Sequence, residues 1–173
     1  MSGAAAGRFE AVYRAEARGL WRFLYRLGVR GSLTDDLTQQ TFLVAFGRWQ
    51  QLDPSRPVGP WLRGIAWRVA ADHRRLHVHH EVSTEQLPEV EARAPGADEQ
   101  LASRRALGAL ERGLDGLNAE QRAVFVMHEL ECISIADIAV EMDSPVPTIY
   151  SRLRLARERL SALLEAHRKG ASP

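Results

Sequence analysis

Arginine side chains are concentrated at two separated places in the chain. Residues 1–76 carry 12 arginines against 6 acidic residues, and residues 147–173 carry 6 basic against 2 acidic residues. Between them, residues 77–100 have 1 arginine against 6 acids, and residues 101–146 have 4 basic against 8 acidic residues. Clustered guanidinium groups neutralise phosphates, so this pattern indicates contact with nucleic acid at two sites. Ordinary solvated helix faces are the alternative interpretation.

A second group of chemically active side chains, His77, His79, His80 and Glu81, could suggest a metal site. These residues lie in a segment without helical periodicity, where no rigid scaffold would hold them in a coordination geometry. The single cysteine, Cys132, excludes an internal disulfide and a cysteine-based zinc site, and we expect it to be a small core residue. The sequence lacks a nucleophile with its base and a glycine-rich phosphate loop. We therefore predict no catalytic residue, no metal and no cofactor.

Three helices are predicted in a first domain, residues 1–76. Apolar residues at three- and four-residue steps predict a first helix with one buried face, ending near Gly28 or Gly31. Thr34, which is followed by two aspartates, predicts the capped start of a second helix. The prolines of residues 52–60 predict a loop, and a third helix should follow it.

Residues 77–100 lose this periodicity and predict a flexible acidic linker to a second domain, residues 101–173. That domain has helical periodicity throughout, with Asn118 and Ser134 as helix caps and Pro147 in the first turn of the last helix. Since no strand pattern is present, the sequence predicts an all-α fold of two small helical domains. It has neither an apolar run of about 20 residues nor a signal-peptide core, so we expect a cytoplasmic protein without membrane insertion.

The segment Ser134–Met142, a four-residue turn and the segment Pro147–Arg157 have the proportions of a helix-turn-helix. The free N–H groups and positive dipole at the start of the last helix suit phosphate contact and major-groove readout. A helical hairpin with a basic solvent face is the alternative. The packing face of this last helix should consist of Ile149, Leu153, Ala156 and Leu160. The outward residues predicted to contact DNA are Thr148, Tyr150, Ser151, Arg152, Arg154 and Leu155.

This helix-turn-helix resembles the fourth region of the extracytoplasmic-function sigma factors. The family pattern is Glu-Ile-Ala, a hydrophobic turn, then Gly-Thr-Val-x-Ser-Arg-Leu-x-Arg-Ala-Arg, and the matching residues are Asp137-Ile138-Ala139 and Pro147-Thr-Ile-Tyr-Ser-Arg-Leu-Arg-Leu-Ala-Arg157. Pro147 replaces the usual glycine, and Leu155 stands where an arginine often contacts a base. The resemblance implies that this domain binds the distal promoter element and the flap of RNA polymerase.

The second predicted helix is similar to a polymerase-docking helix of the same family, Asp-Leu-x-Gln-Glu-x-Phe, through Asp36-Leu-Thr-Gln-Gln-Thr-Phe-Leu-Val-Ala-Phe46. The resemblance implies docking on the clamp helices of the largest polymerase subunit. Gln40 replaces the usual glutamate, but docking should survive, because rim ion pairs contribute only about 0–1 kcal/mol each. A polar face without a partner is the alternative. The residues expected to form the docking face are Asp35, Asp36, Gln39, Gln40 and Leu43.

The third predicted helix resembles the family helix Trp-Leu-x-x-Ile-Ala-x-Asn-x-x-x-Asp-x-x-Arg, which engages the upstream melted promoter element. Arg68 replaces the common asparagine. Arg56 lies in the preceding loop, where the family captures a flipped-out base. Trp67 is a further candidate for base stacking, although a tryptophan on a helix is more often a core residue. The residues expected to bind this DNA are Arg56, Trp61, Arg63, Arg68, Arg74 and Arg75.

Together these resemblances cover nearly the whole chain and imply an alternative sigma factor without enzymatic activity. Its expected partners are core RNA polymerase and promoter DNA, and such factors are commonly held inactive by an anti-sigma protein. The family also implies that the acidic linker threads through the polymerase. A helix-turn-helix regulator of another class, binding an operator unaided, remains the alternative.

Overall fold

The computed structural model describes residues 3–76 and 108–170, and these residues are almost entirely helical. No strand occurs within those two ranges, in agreement with the all-α prediction. The predicted linker, residues 77–100, and the histidine cluster within it lie outside the described residues. The first module consists of α1 (Gly3–Arg26), α2 (Ser32–Gly47) and α3 (Val58–Leu76), with a short 3-10 turn at Trp49–Gln51.

Helices α1, α2 and α3 pack against one another around a common apolar core. Leu20, Phe23, Leu62 and Ile65 are almost completely buried there. Burial of apolar side chains such as these contributes roughly 1.5–3 kcal/mol each, so this core fixes the position of the two helix faces discussed below.

Helix α2 begins earlier than predicted, and the assignment of Thr34 as its cap is wrong. The helix starts at Ser32, its N-cap position is Gly31, and Thr34 is fully buried inside the first turn. Gly31 has a φ of 60° and a ψ of −150°, a conformation that glycine adopts without steric cost. The backbone freedom of Gly31 therefore sets the start of α2.

Helix α3 also begins earlier than the proline pattern suggested. Its first residue is Val58, inside the segment predicted as a loop, so Pro60 falls within the first helical turn. A proline is tolerated there because the first N–H groups of a helix have no acceptor within the helix. The remaining loop is ordered locally by Asp53, whose Oδ1 accepts hydrogen bonds from the N–H (2.9 Å) and Oγ (2.7 Å) of Ser55.

The second module contains a helix α4 described over residues 108–115, followed by α5 (Ala119–Phe125), α6 (Ile135–Glu141) and α7 (Val146–Gly170). A π-helical turn, Val126–Leu130, extends α5. The two predicted caps are confirmed. The side chain of Asn118 accepts from the N–H of Gln121 at 2.8 Å, and that of Ser134 accepts from the N–H of Asp137 at 3.1 Å.

Cys132 is exposed, so its assignment as a core residue is wrong. It lies between the π-helical turn and α6 with a φ of 54°, which directs its side chain away from the core. The neighbouring Ile133 takes the inward position and is only 6% exposed. Its N–H is bonded to the carbonyl oxygen of Met127 at 2.9 Å.

The two modules lie against each other, with α3 of the first in contact with α6 of the second. Gly64 is at the point of closest approach. A Cβ atom at this position would lie 2.8 Å from Cβ and 2.3 Å from Oε2 of Glu141. Because real Cβ contacts are not that short, only a glycine allows the two helices to come so close at this point.

Candidate polymerase and nucleic-acid interfaces

Helix α2 presents the predicted docking face to solvent. Its buried side consists of Thr34, Leu37, Thr38, Thr41, Phe42 and Ala45, whereas Asp35, Asp36, Gln39, Gln40 and Leu43 are all exposed. Leu43 is 72% exposed. Oδ1 of Asp35 accepts a hydrogen bond from Nε1 of Trp21 at 3.0 Å, which orients the carboxylate at the edge of the face.

An aromatic cluster of α1, α2 and the following 3-10 turn lies beside this face. The ring of Phe9 contacts those of Phe42, Phe46 and Trp49 edge-on, with centroid distances of 6.3, 5.1 and 5.1 Å. Phe46 is nevertheless 46% exposed, and Tyr13, which packs on Phe42, is 45% exposed. These partly exposed rings extend the apolar surface around Leu43. The exposure of Tyr13 could not be predicted from the sequence, because its spacing on α1 is that of a buried residue.

Arg63 of α3 is buried between the two modules rather than exposed. It is 8% exposed, and its Nη1 contacts the carboxylate of Glu16 on α1. Its Nε and Nη2 donate to Oε2 of Glu131 in the second module at 3.3 and 3.0 Å. Oε1 of the same carboxylate accepts from Arg26 at 3.2 Å. Glu131 therefore joins two arginines of the first module to the second.

Arg56 and Arg68 also contact the second module. Nη2 of Arg56 lies 3.4 Å from Oδ1 of Asp137 and 3.4 Å from Oε1 of Glu141, both on α6. Nη2 of Arg68 donates to the main-chain carbonyl of Glu141 at 2.6 Å. Glu141 therefore accepts from Arg56 of the loop through its side chain and from Arg68 of α3 through its backbone carbonyl.

The other predicted DNA-binding residues of the first module differ in their surroundings. Arg74 lies over the ring of Trp67 at 5.0 Å, and its Nη2 atom is buried without a hydrogen-bond partner among the described residues. Arg75 is exposed and pairs loosely with Asp72 at 3.8 Å. Trp61 is half-buried and packs on Trp49, with 6.2 Å between the ring centroids. Trp67 is also half-buried against the core.

Burial changes the proton affinity of three groups at this contact. It lowers the pKa of Arg74 and that of Arg122, and the positive charge of Arg122 lowers the pKa of Arg74 further. Burial raises the pKa of Glu141, against the opposing effect of Arg56 and Arg68. The contact therefore combines favourable ion pairs with a desolvation cost.

The helix-turn-helix is formed by α6, a turn at residues 142–145 and α7. Asp143 has a φ of 48°, and the N–H of Ser144 bonds to the carbonyl of Ala139 at 3.0 Å, which closes the turn. The predicted packing face is confirmed. Its members are at most 5% exposed: Ile149, Leu153, Ala156 and Leu160.

The outward side of α7 carries the predicted DNA-contacting residues in two different states. Tyr150, Ser151, Arg154 and Leu155 are exposed, and Arg154 pairs along its own helix with Glu158 at 2.6 Å. Arg152 is largely covered. Its Nη2 lies 2.7 Å from Oε2 of Glu120 and its Nη1 bonds to Oγ of Ser144 at 3.1 Å. Thr148 is half-buried.

The described residues contain no group of three or more histidine, cysteine or carboxylate side chains that could hold a metal ion. No described helix combines the length and apolarity needed to cross a membrane.

Comparison with known proteins identifies both modules. The family "Sigma-70 region 2" matches residues 12–78, and the family "Sigma-70, region 4" matches residues 107–160. "ECF RNA polymerase sigma factor SigC" of Mycobacterium tuberculosis is 35% identical over 153 residues, which cover 88% of this chain and 81% of the relative.

Solved structures agree with this assignment. The structure of CnrH in complex with the cytosolic domain of CnrY is 25% identical, with a TM-score of 0.68 over 94% of this chain and 93% of that one. The sigma factor RpoE of Bartonella quintana, in complex with the anti-sigma factor NepR, has the same fold, with 22% identity and a TM-score of 0.70 over 91% and 97% of the two chains. The chain belongs to the extracytoplasmic-function sigma factors of the sigma-70 family, and it acts as an alternative sigma factor in transcription initiation.

Proposed function

We propose that the three surfaces described above divide the work of this sigma factor. The α2 face, formed by Asp35, Asp36, Gln39, Gln40 and Leu43, docks on the clamp helices of core RNA polymerase. The arginines of α3 and the preceding loop bind the upstream melted promoter element. The outward side of α7 binds the distal element. The corresponding domains are residues 1–76 and 101–173, with residues 77–100 as the linker.

The observation that carries this proposal is the exposure of Leu43 among polar neighbours. An aliphatic side chain 72% exposed, surrounded by carboxylates and amides and bordered by partly exposed aromatic rings, supports a protein-binding surface. The buried stripe of α2 holds this face rigidly, so that docking needs no refolding of the helix.

The proposal includes a cytoplasmic location, no enzymatic activity, and control by an anti-sigma protein. CnrH and RpoE are each solved in complex with a protein partner, CnrY and the anti-sigma factor NepR respectively. A partner of that kind would have to cover the α2 face or hold the two modules together in order to block transcription.

Run-off transcription with purified core polymerase tests the function. The promoter would first be selected from random duplex DNA with the reconstituted holoenzyme. We expect the protein and core polymerase together to melt and transcribe the selected DNA, and neither alone to do so. A protein that protects a palindrome by itself and adds nothing to core polymerase would instead be a regulator of another class.

A further inference from the structure

We propose that Leu155 of α7 sets part of the base sequence of the distal promoter element by contacting the 5-methyl group of a thymine, close to a guanine that Arg154 reads. Glu158 positions Arg154 for its contact. This inference deepens the function proposed above for α7 and rests on it, and it adds a base specificity that is particular to this chain.

One outward stripe of α7 contains these side chains. Ser151, Arg154, Leu155 and Glu158 are all exposed and follow one another at steps of three, one and three residues. The packing face of α7, which is at most 5% exposed, lies on the other side of the helix. At 3.6 residues per turn, the centres of the two stripes are roughly 180° apart around the helix axis. The outward stripe is therefore the part of α7 that points into a groove while the packing face rests on the module.

Leu155 is the apolar member of this stripe and is 39% exposed. A leucine side chain has no hydrogen-bond donor or acceptor, so it gains from a base only by removing an apolar group from water. In the major groove, that apolar group is the 5-methyl of thymine. Opposite another base, Leu155 would cover polar groups and leave them without a partner. The side chain therefore favours thymine at the position that it faces.

Arg154 and Glu158 form a charged pair within the same stripe. Nη1 of Arg154 lies 2.6 Å from Oε1 of Glu158, and both side chains are more than half exposed. A guanidinium group has five N–H donors, so the pair leaves Nε and Nη2 for O6 and N7 of a guanine. Because Glu158 already restricts the orientation of the arginine, less side-chain freedom is lost when DNA binds.

Arg152 is placed for a different task. Its Nη2 lies 2.7 Å from Oε2 of Glu120, and its Nη1 bonds to Oγ of Ser144 at 3.1 Å. These contacts direct its guanidinium towards α5 and the turn before α7, away from the outward stripe. Reading of a base by an arginine in the first turns of α7 therefore falls to Arg154 rather than to Arg152.

Replacement of thymine by deoxyuridine tests the proposal, because it removes the 5-methyl group and leaves the base pairing unchanged. The promoter is first selected from random duplex DNA with the reconstituted holoenzyme, and each thymine of its distal element is then replaced in turn. The affinity of the holoenzyme is measured for every template. We expect one position at which the replacement weakens binding about fourfold, as the burial of one methyl group implies.

Leu155→Ala and Leu163→Ala separate this contact from a general effect of the methyl group on DNA. Leu163 is 43% exposed on α7 and lies outside the outward stripe. With Leu155→Ala, thymine and uracil should be bound equally well at the sensitive position, whereas Leu163→Ala should keep the difference. A methyl effect that persists in Leu155→Ala, or no methyl effect at any position, would overturn the proposal. A holoenzyme that selects no DNA would contradict the proposed function of α7 as well, so the two failures are distinguishable.

Promoter selection with Leu155→Arg provides a second test. An arginine pairs with O6 and N7 of guanine, so the variant should select a guanine where the parent selects the methyl-sensitive thymine. Selection of the same thymine by Leu155→Arg would contradict the proposal.

The role of Glu158 is tested at the guanine that Arg154 reads, which is the guanine whose replacement has no effect in Arg154→Ala. Glu158→Ala should lower the preference for guanine over adenine at this position severalfold. Glu165→Ala removes an exposed carboxylate of α7 seven residues further along and should leave that preference unchanged. Equal preferences in the two glutamate variants would show that Glu158 does not position Arg154.

Discussion

Helices α2 and α3 belong to the same module, but they present their predicted functional faces in opposite ways. Leu43 of α2 is 72% exposed, whereas Arg63 of α3 is 8% exposed and bonded to a carboxylate of the second module. A face that is open needs no rearrangement before binding, and a face that is covered must exchange one set of partners for another. The two predicted faces therefore differ in the rearrangement that binding would require.

The outward side of α7 lies between these two cases. Arg154 is exposed and pairs with Glu158 of its own helix, while Arg152 is held by Glu120 and Ser144. Some of the residues predicted to contact DNA are therefore accessible on α7, and others are not. The largest change on separation of the two modules should concern α3 rather than α7.

The largest effect is expected when the open face is damaged. Leu43→Asp should weaken binding to core polymerase about 10- to 100-fold, because burying one leucine contributes roughly 1.5–3 kcal/mol and the new carboxylate would be desolvated. The affinity of labelled protein for purified core polymerase measures this directly.

Leu163→Asp is the matched control for that change. Leu163 is a partly exposed leucine of α7, 43% exposed and outside the docking face. Both variants should keep the helical circular dichroism signal of the parent. If Leu163→Asp weakened polymerase binding as much as Leu43→Asp, the result would contradict the assignment of the α2 face as the polymerase-docking surface.

A smaller effect is expected on α7, at Arg154. Arg154→Ala should reduce run-off transcription from a selected promoter about 5- to 30-fold, in the lower part of the roughly 1–3 kcal/mol that one good arginine contact with a base contributes. Arg154 is exposed and pairs with Glu158 on the same helix, so the change should not unfold the helix. Arg159→Ala, further along α7, is the control, and an equal loss from it would argue against a specific contact by Arg154.

Local features of the fold were predictable because they depend on neighbours in sequence. Asn118 and Ser134 cap their helices as predicted, and the packing face of α7 follows from steps of three and four residues. Thr34 shows the limit of that approach. Its capping preference was overridden by Gly31, whose backbone conformation allowed the helix to begin two residues earlier than Thr34.

The covering of α3 was not predictable in the same way. The acidic excess of residues 101–146 is visible in the sequence, but Glu131 meets Arg63 across 68 positions and Glu141 meets Arg56 across 85. Such pairs depend on how the modules are placed, which no local periodicity encodes. The sequence identified the arginines of α3 as candidates for DNA binding, which stays a prediction, and it gave no sign of their carboxylate partners.

The equilibrium constant between the closed form, in which the two modules are in contact, and the open form should change by less than tenfold per pH unit, because the two forms differ in the binding of at most one proton. In the closed protein, burial raises the pKa of Glu141 above its ordinary value of 4.5. The closed form therefore binds a proton at Glu141 more readily than the open form does. The closed fraction should therefore increase as pH falls from above the raised pKa towards 4.5. Fluorescence energy transfer between dyes on the two modules would follow it.

The groups facing Glu141 are Arg56 of the loop, Arg68 of α3 and Asp137 of α6. Arginine stays protonated throughout the range, so the carboxyl group of Glu141 is the one expected to change its charge. Glu141→Gln should keep the protein closed and flatten the pH dependence. A variant with the parent's pH profile would show that Glu141 is not the group responsible.

The smallest effect is expected where the docking helix departs from its family. Gln40→Glu restores the usual carboxylate on an exposed position of α2 and should strengthen polymerase binding by up to about 1 kcal/mol, or roughly fivefold at low salt. The gain should fade as salt is raised, since an exposed ion pair is screened. Gln39→Glu adds the same charge one residue away and should give less. Gln39 and Gln40 both lie on the exposed face of α2, so neither change should alter the closed fraction. A shift in energy transfer between the modules would show that the α2 face is coupled to the α3 contact.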